Sequence, residues 1–114
     1  MTQEEKWYLD LNGFLVVRNA VPAEDIEQMK GQMLEWYQWD ATQFKPPMRI
    51  ACQPNKPWWV YNMHYGHEAF QRLMLNLEIL RVVTALTWNH PRVFDVVANI
   101  CYPSADGLEL HEGH

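Results

Sequence analysis

The sequence predicts a single α+β domain, and three observations lead to that prediction. Helical periodicity dominates the first forty residues and returns between His67 and Thr87. A β-forming stretch with period-two alternation follows at residues 92–102. The length of 114 residues, of which 48% are hydrophobic, is sufficient for one core. We therefore expect residues 1–114 to form one domain with helices first and strands gathered at its end.

Local signals mark the N-terminal elements. Residues 3–11 have helical spacing, and the turn-forming pair at residues 12–13 ends them. The β-branched run Phe14–Arg18 predicts a short strand. Residues 21–25 open a second helix, because proline suits a first turn and the two acids there complement the helix dipole. This helix is expected to continue to about residue 39.

Residues 40–66 are expected to form a long irregular segment. Prolines are excluded from helix interiors and central strands, and this segment contains Pro46, Pro47, Pro54 and Pro57. Its large apolar side chains predict that it packs against the rest of the chain. One side chain of the adjacent pair Trp58 and Trp59 must point away from the core, and that one is a candidate pocket residue. Helical spacing predicts core or core-edge positions for Trp7, Trp36, Trp39 and Trp88.

The C-terminal half begins with two more predicted helices. The first covers residues 67–75, and Asn76 is in the N-cap position of the second, residues 77–87. A strand over residues 92–102, a turn over residues 102–107 and a last strand starting at Leu108 follow. Because the last strand has nothing after it to pair with, we expect this chain to be the N-terminal part of a longer domain.

The strand at residues 92–102 has two different faces. The apolar face is expected to pack on the helices and consists of Phe94, Val96, Ala98, Ile100 and Tyr102. The second face consists of Val93, Asp95, Val97, Asn99 and Cys101. The polar groups of Asp95 and Asn99 thus point the same way, either into a cavity, where they need a ligand or partner, or into solvent.

His111 is the candidate metal ligand of the sequence. It projects from the end of the last predicted strand, on the same face as Gly113. The alternative is an exposed or hydrogen-bonded histidine. The His-x-x-His spacings at residues 64–67 and 111–114 do not lie within helices, so neither predicts a zinc site. The sequence contains no HExxH, no nucleophile elbow and no glycine-rich phosphate loop.

Composition excludes several classes of partner. The chain has 9 Lys and Arg against 14 Asp and Glu and a net charge of −5, without the basic stripe that nucleic acid requires. No apolar run approaches the roughly 18 residues that span a bilayer, and the polar N-terminus is unlike a signal peptide. Two cysteines without export signals predict free thiols in a reducing cytoplasm.

Three stretches together resemble the phytanoyl-CoA dioxygenase family. They are Asn12–Ala20 followed by Val21–Ile26, then Asn76–Leu80 opening a helix, then the strand through Ala98 and Asn99 followed after a turn by Leu110 and His111. The resemblance covers nearly the whole chain but only the N-terminal half of such proteins. It implies a double-stranded β-helix, a jelly-roll or cupin-like fold, represented here by its N-terminal helices and first strands.

The resemblance also implies an iron(II)- and 2-oxoglutarate-dependent dioxygenase that hydroxylates a small molecule. Such enzymes bind iron through a His-x-Asp/Glu motif and a distant second histidine. His111 matches the first histidine, but the carboxylate position is Gly113, which cannot ligate. The second histidine and the arginine that binds 2-oxoglutarate would follow residue 114, so the chain alone is expected to be inactive. Asn99 matches a position that contacts 2-oxoglutarate in some members.

Gly113 leaves two alternatives open. Halogenases of the wider superfamily have glycine or alanine at the carboxylate position, where a halide binds the iron instead. A relative that has lost its metal could instead serve as a non-catalytic binding module. The sequence after His114 would discriminate among the dioxygenase, the halogenase and the non-catalytic binding module.

Overall fold

Capping interactions set the limits of the first N-terminal helix, and a proline precedes the second. The computed structural model describes residues 1–87 and 90–107. Helix α1 (Gln3–Asn12) begins at Thr2, whose hydroxyl accepts from Glu5 N–H while the Glu5 carboxylate accepts from Thr2 N–H. It ends at Gly13, whose φ of 75° favours glycine. Helix α2 (Ala23–Tyr37) follows Pro22. Both predicted helices are confirmed.

The predicted strand Phe14–Arg18 is wrong. This segment has no regular structure and pairs with no strand in the part of the chain that the structure describes. Phe14 and Val16 are 54% and 61% exposed. A β-branched run forms a strand only where cross-strand neighbours cover it, and no described strand pairs with this one.

The interpretation of residues 40–66 as irregular is wrong in part. Two strands lie there, β1 (Arg49–Ala51) and β2 (Trp58–Tyr61), paired antiparallel. The four prolines stand before β1 or between the two strands, so they do not interrupt the ladder. The segment does pack down as expected, since Phe44, Trp58 and Met63 are buried.

Two helices lie between β2 and the third strand of the sheet, as the periodicity predicts. Helix α3 (Glu68–Met74) has His67 as its N-cap, and helix α4 (Leu77–Leu86) has Asn76. The side chain of Asn76 accepts from the backbone N–H of Glu78 at 2.9 Å and of Ile79 at 3.1 Å. Its amide also donates to the carbonyl of Ala20 at 2.7 Å, which fixes the start of α4 against the segment before α2.

The third strand, β3, is shorter than predicted and spans Val97–Ile100. It pairs antiparallel with β2, so the sheet order is β1-β2-β3. As the alternation predicts, the side chains of Val96, Ala98 and Ile100 pack against the core. Phe94 does not, because it precedes the paired residues and is 87% exposed. The predicted strand starting at Leu108 lies outside the described residues.

The core lies between the sheet and helices α2 and α3. Its buried members are Trp36, Phe44, Trp58, Val60, Met63 and Phe70. The Trp36 and Phe70 rings stack with centroids 5.5 Å apart, which joins the two helices. The core prediction is correct for Trp36 and for Trp39, which packs against this cluster, and wrong for Trp7, which is 63% exposed. Trp88 lies outside the described residues.

The architecture confirms the α+β class. Helices cover one face of an open, three-stranded antiparallel sheet, and the described residues do not close a double-stranded β-helix. No helix in the described ranges is long and apolar enough to cross a membrane. The cysteines Cys52 and Cys101 are both free and exposed.

Candidate functional site

The face of the sheet turned away from the core is the candidate site, and we call it the outer face. Alternation along each strand places Ile50, Trp58, Val60, Ala98 and Ile100 toward the helices. The residues between them make up the outer face, in two cross-strand rows. One row is Arg49, Tyr61 and Val97; the other is Ala51, Trp59 and Asn99.

The first row carries a cation stacked on an aromatic ring. The guanidinium carbon of Arg49 lies 3.7 Å from the centroid of the Tyr61 ring. Within residues 1–87 and 90–107, no carboxylate oxygen lies within 4.0 Å of an Arg49 nitrogen. Arg72 and Arg81, by contrast, are both paired with acids. Arg49 therefore presents a positive charge that aromatic stacking orients and no described acid neutralises.

The second row places an indole between a small residue and an amide. Trp59 is partly buried, whereas its neighbour Trp58 is 4% exposed and faces the core. The prediction that one tryptophan of this pair points away from the core is confirmed. Ala51, on one side of Trp59, has only a methyl group, and Asn99 is on the other side. The outer face thus has an aromatic surface with an amide at its edge.

Asn99 lies on the outer face, opposite to the core side of β3, as the alternation predicts. Its side-chain carbonyl accepts a hydrogen bond from the Cys101 thiol, with sulfur and oxygen 3.4 Å apart. Among the described residues, its amide N–H groups have no acceptor. Asn99 is exposed, so the described part of the chain leaves these groups available to a ligand. Asp95, predicted to share this face, precedes β3 and instead lines a cleft beside His64 and Tyr65.

The histidines of the described chain do not form a metal centre. His67 Nδ1 accepts from the backbone N–H of Ala69 at 3.1 Å, so this residue caps α3. His64 Nδ1 is buried without a described partner. Within residues 1–87 and 90–107, no three His, Cys, Asp or Glu side chains are grouped to hold a metal ion. The predicted ligand His111 lies outside the described residues, as does Gly113.

Two residues of this face, Arg49 and Tyr61, were not predicted as site residues. Their relationship depends on the pairing of β1 with β2, and the prolines between those strands suggested irregular structure. The run of aromatic and β-branched residues in Trp58–Tyr61 is the local signal that could have revealed a strand. The sequence has no comparable signal that Arg49 and Tyr61 are partners, because their pairing follows from the register of β1 and β2.

Known proteins supply no function by similarity. Comparison with protein-family models, with curated proteins and with solved structures finds no match for this chain. The function is therefore inferred from the outer face and from the resemblance of the sequence to phytanoyl-CoA dioxygenases.

Proposed function

We propose that this chain is the N-terminal part of a non-haem iron(II), 2-oxoglutarate-dependent dioxygenase that hydroxylates a small molecule. The observation that carries the proposal is the position of Asn99, in register with Trp59 on the uncovered face of a helix-backed sheet. A sheet with one face on the core and one bearing polar and aromatic groups is suited to form one wall of a binding cavity. The resemblance to phytanoyl-CoA dioxygenases supplies the chemistry.

In this proposal, Asn99 binds the co-substrate. Its free amide N–H groups donate to a carboxylate of 2-oxoglutarate, and the hydrogen bond from Cys101 to its carbonyl holds the amide in that orientation. Trp59, beside it, limits the access of water to the bound co-substrate, which strengthens the hydrogen bond. The chain thereby positions the co-substrate.

Iron ligation is assigned to residues outside the described part. The described side chains contain no ligand set, so His111 is the first ligand in the proposal and the remaining ones follow it in the chain. Bound iron supplies O₂ activation in such enzymes.

The test is made on the natural full-length chain. With Fe(II) and 2-oxoglutarate present, we expect 2-oxoglutarate-dependent formation of succinate. Asn99→Ala should raise the dissociation constant of 2-oxoglutarate about 10- to 100-fold, the effect of losing one hydrogen bond to a charged ligand. Isothermal titration under anaerobic conditions measures that constant without turnover.

Two control variants use the geometry of β3. Val97→Ala removes a side chain from the same face without removing a donor, so 2-oxoglutarate should bind as it does to the wild type. Ile100→Ala, on the core side, should lower the free energy of unfolding by about 2 kcal/mol and leave 2-oxoglutarate binding unchanged. If neither Fe(II) nor 2-oxoglutarate binds the full-length chain, the proposal fails and a non-catalytic binding protein replaces it. A chlorinated product in the presence of chloride would instead identify a halogenase.

A further inference from the structure

We infer that the outer face selects a substrate with a carboxylate and a flat apolar body, anchored by Arg49. The inference rests on the proposed function and deepens it, because it names the substrate class that the cavity wall accepts.

Charge complementarity identifies the anionic end of the ligand. Arg49 is the one charged side chain among the six residues of the outer face. Its guanidinium carbon lies over the Tyr61 ring, and a guanidinium stacked on a ring keeps its in-plane N–H groups available. Those groups match a carboxylate in a bidentate arrangement. No described acid competes for them, although the chain has a net charge of −5.

The aromatic rings identify the rest of the ligand. Trp59 and Tyr61 are two residues apart on β2 and therefore on the same face, about 7 Å from each other. Both are only partly buried, so apolar surface is available beside the cation. A carbohydrate would use such rings without requiring a positive charge, whereas an aromatic or other planar carboxylate uses both.

The spacing of the rows sets the size of the ligand. Arg49 and Asn99 occupy opposite corners of the outer face, two strands and two residues apart. Strand separation and rise place their Cα atoms about 12 Å apart. A molecule of about two fused rings, with its carboxylate at Arg49, extends past Tyr61, whose ring Arg49 covers, and over Trp59 toward Asn99. The oxidised carbon would then lie away from the carboxylate, near the co-substrate.

The experiment uses 1-naphthoate as the probe, with 1-naphthalenemethanol as its uncharged counterpart. Binding to the iron-free, full-length chain is followed by titration calorimetry and by quenching of tryptophan fluorescence. Arg49→Gln should weaken 1-naphthoate binding about 10- to 100-fold and leave 1-naphthalenemethanol binding unchanged. Arg92→Gln is the matched control, since Arg92 is exposed and lies outside the sheet, and it should change neither. Circular dichroism confirms that each variant is folded.

Three results would overturn the inference. Equal 1-naphthoate binding by the wild type and Arg49→Gln would show that Arg49 does not anchor the ligand. Absence of saturable binding by the wild type would show that the outer face does not bind this class of ligand. Competition between 2-oxoglutarate and 1-naphthoate that disappears in Arg49→Gln would assign Arg49 to the co-substrate instead. Because these measurements need no iron, their failure is distinct from an absence of succinate formation, which overturns the proposed function alone.

Discussion

Arg81 forms two hydrogen bonds to the carboxylate of Glu5, 76 residues earlier in the chain. Nη1 donates to Oε2 at 2.6 Å and Nη2 donates to Oε1 at 2.7 Å. All residues of α1 are described, and none of them is buried. This bidentate pair is therefore a principal attachment of α1 to α4. Glu78, which accepts from Arg81 Nε at 2.8 Å, holds the guanidinium in place.

The Glu5–Arg81 pair should make the attachment of α1 dependent on pH. The hydrogen bond from Arg81 is the largest cause that lowers the pKa of Glu5 from 4.5 to about 2. The stabilising contribution is therefore complete above pH 4.5 and is lost as the pH falls through about 2. Glu5→Gln should lower Tm modestly at pH 7, with a difference from the wild type that shrinks between pH 4.5 and pH 2. Thermal melts across this range measure it.

Glu4→Gln is the control for this titration. Glu4 is the adjacent acid in the first turn of α1, and among the described residues it has no ion-pair partner. Its replacement should leave Tm almost unchanged at every pH. A Glu5→Gln deficit of constant size from pH 7 to pH 2 would contradict the assignment, since it could not arise from ionisation of the carboxylate.

Two tryptophans on the N-terminal helices should respond differently to truncation. Trp36 is 2% exposed and stacks on Phe70, so Trp36→Ala should reduce the free energy of unfolding by about 3–5 kcal/mol. Trp7 is 63% exposed, and Trp7→Ala should change it by no more than about 0.5 kcal/mol. Urea unfolding of both variants provides the measurement. Similar losses for the two would mean that α1 packs on a surface through Trp7.

Two glycines should respond to alanine with opposite signs. At Gly66, an added Cβ would lie 2.5 Å from Met48 Sδ and 2.7 Å from Trp36 Cζ2. Gly66→Ala should therefore destabilise the protein by about 1–3 kcal/mol through overpacking. Gly31 is inside α2 with nothing within 4 Å of the added Cβ, so Gly31→Ala should stabilise by about 0.5–1 kcal/mol. Denaturant midpoints decide the two signs, and a gain at Gly66 would refute the close packing of Met48.

Asn76 has two separable roles, which two substitutions distinguish. Asn76→Ala removes the cap of α4 and the bond to Ala20, and should cost about 1–2 kcal/mol. Asn76→Asp retains an oxygen that accepts from the helix N–H groups but cannot donate to the Ala20 carbonyl. It should therefore cost less than Asn76→Ala in equilibrium unfolding. Equal losses would show that the bond to Ala20, rather than the cap, accounts for the effect.

The helices could be predicted from sequence because their signals are local. Gly13 and Asn76 each mark a helix end by their own chemistry, and Pro22 marks the start of α2. The structure places all three there. Such caps satisfy backbone groups within a few residues, so no knowledge of tertiary structure is needed.

The strands were predicted less well because pairing is not local. Phe14–Arg18 has strong β propensity and no described partner, whereas Arg49–Ala51 has weak propensity and pairs with β2. The face of Asn99 followed from alternation alone. The stacking of Arg49 on Tyr61 did not, because it requires the register of two strands.

The central position of β2 has a consequence for the order of folding. Its contacts with β1 close only the short loop of residues 52–57, whereas those with β3 close residues 62–96. Loop-closure entropy makes the hairpin the earlier event, on a microsecond scale of about 1–10 μs. We expect β3 to dock after α3 and α4 have shortened the intervening chain. Until then one side of β2 has unpaired backbone groups, so the slow step of folding is also the step at which intermolecular strand pairing competes.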